Sequence, residues 1–70
     1  MTETLQFKDL EGTRKMIKMS GENFASFSKK VKVDPSMMSN YLTGKKFPSP
    51  PTAKKIANGL GKDMYDIFFA

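Results

Sequence analysis

Residues 33–47, VDPSMMSNYLTGKKF, carry the side chains whose types and spacing suit contact with a partner. Met38, Tyr41 and Leu42 stand at i, i+3 and i+4, so a short helix here buries one face. Ser36, Met37, Ser39, Asn40 and Thr43 lie off that stripe, and Lys45 and Lys46 follow at once. The result is a small, uncharged, hydrogen-bonding outer face with a basic end. Such a face suits the major groove of DNA, where Ser and Asn read base edges and Lys meets phosphate. It also suits a plain solvated face on a core helix, and this stretch alone leaves both open.

The elements that must position this helix are legible in order. Asp34 then Pro35 is a strong helix start, an N-cap acceptor before a proline whose missing N–H costs nothing there. Gly44 suits the left-handed stop. Upstream, residues 1–6 lack periodicity and are expected to fray. A first helix is expected over 7–18 on Phe7, Leu10 and Ile17, weakened at Gly12 by roughly 1 kcal/mol relative to alanine. Ser20-Gly21 breaks the chain, and Asn23 caps a second helix over 23–31 with Phe24, Phe27, Lys30 and Val31 inward. Lys30 is expected to cover apolar surface with its stem. Lys32 takes the turn and Val33 plugs the core; so short a connection forces a steep crossing, as in a helix-turn-helix. Phe47 is read as an anchor of the following loop. Ser49 caps a fourth helix with Pro50 and Pro51 in its first turn and Ala53, Ile56, Ala57 and Leu60 as its core stripe. Gly61 ends it, and Asp63 caps a last short helix through Phe68 with Met64, Ile67 and Phe68 inward. No strand pattern and no internal repeat is visible. The expected fold is all-α, five short helices in one domain over 1–70.

Composition narrows the function. The chain has 70 residues, no Cys and no His. No disulfide, thiolate metal site or histidine base is therefore available, and neither metal nor cofactor is expected. No phosphate-cradling Gly loop is present, and Asp34, Asp63 and Glu22 stand at or near helix starts, which leaves no carboxylate pair for acid–base work. An enzyme is not expected. Twelve Lys and Arg against seven Asp and Glu give a formal charge of +5, which favours a polyanionic partner. No apolar run reaches the length of a membrane span and no signal peptide is read, so a reducing, cytoplasmic setting is expected.

From residue 33 to 68 the chain resembles the Cro/CI-type (XRE-like) helix-turn-helix family of phage and bacterial transcriptional regulators. Val33 and Met38 hold apolar positions either side of the recognition-helix start, and Ser39, Tyr41, Leu42, Gly44 and Lys45 resemble the family's S-x-Y-L-x-G-K ending. Pro48-Ser49 resembles the P-S before the fourth helix; Ile56-Ala57, Leu60-Gly61 and Asp66-Ile67-Phe68 resemble the tail. The resemblance implies a compact, lambda-repressor-like five-helix bundle with its helix-turn-helix at about 23–43, inserting helix 35–43 into the major groove. It implies base reading by Pro35, Ser36 and Asn40, with Ser39 as a further position. Phosphate contacts then fall on Asn23, Thr43, Lys45 and Lys46, with Lys29 and Arg14 as looser assignments. Met37 stands where the family often has a small polar residue.

Departures from the pattern are specific. Many members carry Glu at the position of Leu42, paired with an Arg of the first helix; here Arg14 is expected to be free for solvent or phosphate. Phe24 stands where Gln often opens the second helix, Ser28 where alanine is usual, and Lys32 where glycine is usual.

The expected function is a small regulator, a repressor by steric occlusion of a promoter, on a two-fold operator. A weak homodimer through Tyr65, Phe68 and Phe69 is expected to support it. The competing reading is a protein-interaction module on the same fold, such as an antitoxin, using exposed Phe24, Phe69 and Phe7. Asn23 as a mere cap, Met37 as packing, and Lys54 and Lys55 as a solvated helix face are the plainer readings of those residues.

Overall fold

Each helix begins at a residue able to cap it and buries a stripe at helical spacing. The computed structural model describes residues 4–69. The elements are β1 (Gln6–Phe7), α1 (Leu10–Met19), α2 (Phe24–Val31), α3 (Pro35–Leu42), α4 (Pro50–Gly59), α5 (Met64–Ile67) and β2 (Phe68–Phe69). The fold is thus mostly helical, with five helices among the described residues and one short antiparallel sheet. No described helix is long and apolar enough to cross a membrane.

The first helix starts later than its periodicity predicts. Asp9 is its N-cap, and its carboxylate accepts from Gly12 N at 2.9 Å. Phe7 instead lies in β1, where it pairs with Phe68, while Gln6 pairs with Phe69. The rings of Phe7 and Phe68 stand 4.6 Å apart. Leu5 N donates to Pro48 O at 2.9 Å, and Lys8 N to Ile67 O at 2.8 Å. Residues 5–6 are therefore fixed by backbone pairing rather than frayed; residues 1–3 lie outside the described residues. A two-residue strand has no room for alternation, which is why the sequence carries no sign of it. The same pairing ends α5 at Ile67, because Phe68 is already extended.

The core joins Ile17 of α1, Phe27 and Val31 of α2, Met38, Tyr41 and Leu42 of α3, and Ala53, Ile56 and Ala57 of α4. Ile67 and Phe68 close it from below. Leu60 is only half-buried, as the C-cap residue of α4. Two expectations fail here. Lys30 is exposed and pairs with Glu22 at 3.3 Å; Ser28 takes the inward position instead, its hydroxyl donating to Ala25 O at 2.7 Å. Phe47 is 45% exposed, and the buried anchor of that loop is its neighbour Pro48.

The α2–α3 connection turns at Lys32, whose φ of 61° and ψ of 44° are left-handed. A side chain there costs roughly 1–2 kcal/mol that glycine would not. The turn still closes, because Val33 N donates to Ser28 O at 2.9 Å and half-buried Val33 packs on the core.

Candidate nucleic-acid interface

α3 is held at both ends. At its start, Asp34 Oδ2 accepts from Ser36 N at 3.0 Å and from Met37 N at 3.2 Å, relieving two donors that the helix itself cannot satisfy. At its end, the Asn40 carbonyl accepts from Lys45 N at 2.9 Å and Lys46 N at 3.2 Å. That wrap needs Gly44, whose φ of 80° is left-handed. Met38, Tyr41 and Leu42 are buried, so the opposite face is fixed outward.

On that outward face Pro35, Ser36 and Ser39 are exposed. Asn40 is half-buried rather than fully exposed. Its amide makes no hydrogen bond among the described residues, and no buried side-chain polar atom lacks a partner, so the amide reaches solvent. Ser36 and Asn40 are at i and i+4, hence neighbours on one face. Met37 is half-buried and packs against the core, which fits the packing reading.

The residues assigned to phosphate divide into two kinds. Lys29, Lys45 and Lys46 are exposed, and the one ion pair among the described residues is Lys30 with Glu22. Their ammonium groups are open to an anion. Asn23 is engaged as a cap: its Oδ1 accepts from Ser26 N at 2.7 Å, and Ser26 Oγ accepts from Asn23 N at 3.1 Å. Its remaining amide hydrogens can still donate. Thr43 donates its hydroxyl proton to Ser39 O at 2.8 Å, so it must break that bond to donate to a phosphate.

Arg14 corrects the sequence reading. It is half-buried, and its Nη1 donates to the Leu42 carbonyl at 2.8 Å. The leucine side chain cannot take an arginine, but the carbonyl of the same residue can. Leu42 is the last residue of α3, whose carbonyl has no intrahelical partner and carries the negative end of the helix dipole. Arg14 therefore pins the end of α3 to α1 instead of standing free. Nothing in the sequence signals this, because a backbone acceptor leaves no mark in residue type. Arg14→Met, which keeps the apolar stem, is expected to cost about 1–2 kcal/mol and to lower Tm by on the order of 5–15 °C. Coincident melts of variant and wild type would leave the bond without a role.

The aromatic end of the molecule also departs from expectation. Phe68 is 3% exposed and belongs to the core, not to a dimer surface. Phe7 and Phe24 are half-buried against the core, so they are not free aromatic contacts. Tyr65 at 84% and Phe69 at 54% remain exposed, beside an apolar depression lined by Leu5, Pro50 and Met64.

No family model matches the chain, and no curated protein or solved structure matches it.

Proposed function

We propose that this chain is a sequence-specific double-stranded DNA-binding regulator in which α2 and α3 form a helix-turn-helix. The observation that carries the reading is the outward face of α3. Ser36, Ser39 and Asn40 present uncharged donors and acceptors there, and two unpaired lysines stand at the end of the same helix. Hydrogen-bonding groups that carry no charge distinguish base edges, whereas lysines bind backbone phosphate whatever the sequence. The net charge of +5 supports the same partner. Occupancy of a promoter is enough for repression, and the role fits a cytoplasmic setting. Selection of bound fragments from random double-stranded DNA tests the reading. An enriched motif is the expected result, and a pool that stays random under low-salt selection removes sequence-specific binding.

The basic end of α3 gives a separate test. For every phosphate that the protein no longer neutralises, the slope of log K against log salt should flatten by about 0.9. Lys45→Ala and Lys46→Ala are expected to show this and to weaken all sequences alike. An unchanged slope in the double variant would put this end of the helix off the DNA.

A homodimer on a two-fold site uses Tyr65 and Phe69, the two aromatics that stay exposed at the sheet end. Related small modules gain affinity by pairing on half-sites. Two protomers per shortest bound site are expected, with Phe69→Ala lowering cooperativity. One protomer per site in both proteins, read from a stoichiometric titration, would remove the dimer. The same two aromatics favour the second reading, a protein-interaction module such as an antitoxin, which would bind a protein partner at this end and need not exclude DNA.

A further inference from the structure

The outer face of α4 carries charge that α3 does not use. Lys54, Lys55 and Asn58 are exposed, while Ala53, Ile56 and Ala57 of the same helix are buried. An open depression between α2 and α4 is lined by Lys30, Lys32, Lys55 and Asn58, around Val31 and Gly59. A second depression, where α4 turns into α5, is lined by Lys54, Asn58 and Lys62 together with Asp63, Met64 and Tyr65. Asn58 lines both, together with lysines of α2, the α2–α3 turn, α4 and the α4–α5 turn. No α3 residue lines either depression. α4 packs on α2 and α5, whereas α3 packs on α2 and α1. Glu22, at 3.3 Å from Lys30, and Asp63 offset only part of the charge.

We propose that this face is a second phosphate-backbone surface, holding a further DNA duplex without regard to sequence. The bridging of two duplexes rests on α3 holding the first, but the α4 face itself does not depend on that reading. The chemistry favours nucleic acid over an acidic protein. Stable protein interfaces centre on buried aromatic or arginine anchors and are depleted in lysine. The depression between α2 and α4 offers no aromatic or arginine, only lysines and an amide around Val31 and Gly59, and the one aromatic of the second depression is Tyr65, assigned above to the homodimer. Lysine meets phosphate as a point charge, and released counterions supply the driving force. Lysines outnumber the single amide on this face, so backbone contact dominates over base reading.

The experiment uses the full chain, a selected duplex fixed to beads, and a free labelled duplex of unrelated sequence. Wild type is expected to capture the labelled duplex, with capture falling steeply as salt rises. Lys54→Gln, Lys55→Gln and Lys62→Gln together are expected to reduce capture by roughly tenfold or more, because three phosphates then go unneutralised. Affinity for the single selected duplex should fall far less than capture does, and its salt slope and the sedimentation size should both stay unchanged in that variant. Wild type that captures no second duplex overturns the proposal. So does a triple variant that captures as well as wild type, since a dimer using two α3 faces would then explain the bridging. Wild type that retains polyglutamate but no second duplex overturns the nucleic-acid assignment. If no site is ever selected, the α3 reading fails, and binding of one unrelated duplex then decides the α4 face: salt-dependent binding that the triple variant loses upholds it, and no binding or equal binding by both proteins overturns it.

Discussion

Phe27→Ala is expected to leave most of the chain unfolded at 25 °C. Phe27 is fully buried, and its ring lies against Gly59 of α4. A Cβ added to Gly59 would sit 3.1 Å from Phe27 Cε1 and Cζ, so the ring fills this space without slack. Removing a buried phenylalanine side chain costs about 3–5 kcal/mol. A core in a chain of this size seldom supplies more than roughly 3–5 kcal/mol in all, so the loss is comparable to the whole stability. α2 packs on both α3 and α4, and its collapse takes the proposed reading helix with it. Far-ultraviolet circular dichroism should show the loss of helix, and any DNA binding should fall with the folded fraction. A variant that melts at the wild-type temperature would mean that the core closes around the gap, and that the packing of α2 on α4 is not where stability resides.

What could be read from the sequence was what is decided locally. Asn23, and Asp34 with Pro35, begin α2 and α3 because their own backbone geometry and side-chain acceptors act within three residues. The stripes Met38, Tyr41, Leu42 and Ala53, Ile56, Ala57 are buried because helical spacing alone puts them on one face. The outward face of α3 follows from the same periodicity. What escaped was decided by partners distant in sequence. Gly59 carries no mark of its role in the sequence, but a Cβ there would overlap Val31 Cγ1, so its absence lets α2 and α4 meet. Arg14 finds a carbonyl 28 residues away. Phe7 and Phe68, at opposite ends of the chain, form a sheet too short to show a pattern. Each of these is a choice between two locally acceptable outcomes, settled by packing that periodicity does not contain. Lys30 is different, because spacing already decides it: Ser28, at i+4 from Phe24, shares the face of Phe24, Phe27 and Val31, whereas Lys30 stands off that face and meets Glu22 at the surface.

Asn40→Ala is expected to lose about 1–3 kcal/mol on the best DNA site and to relax the base choice at one position. Asn40 lies one turn after Ser36, on the face of α3 that Met38 and Tyr41 leave outward. Its amide carries a donor and an acceptor together, matching N6 and N7 of adenine in the major groove. Ser36 offers a hydroxyl that both donates and accepts, so its preference should be softer. The partial burial of Asn40 adds a consequence for the free protein. Truncation to alanine removes part of a half-buried side chain, so a small drop in melting temperature is expected, without loss of fold. That drop and the binding loss are separable, because the fall in affinity should be large on the best site and slight on unrelated DNA. A phosphate contact would behave differently: every sequence would weaken by the same factor, and the salt slope would flatten by about 0.9. Binding-site selection on both proteins decides between them. An identical motif from Asn40→Ala and wild type would end the base-reading role of this residue and transfer the specificity to Ser36, Ser39 or the apolar edge of Pro35.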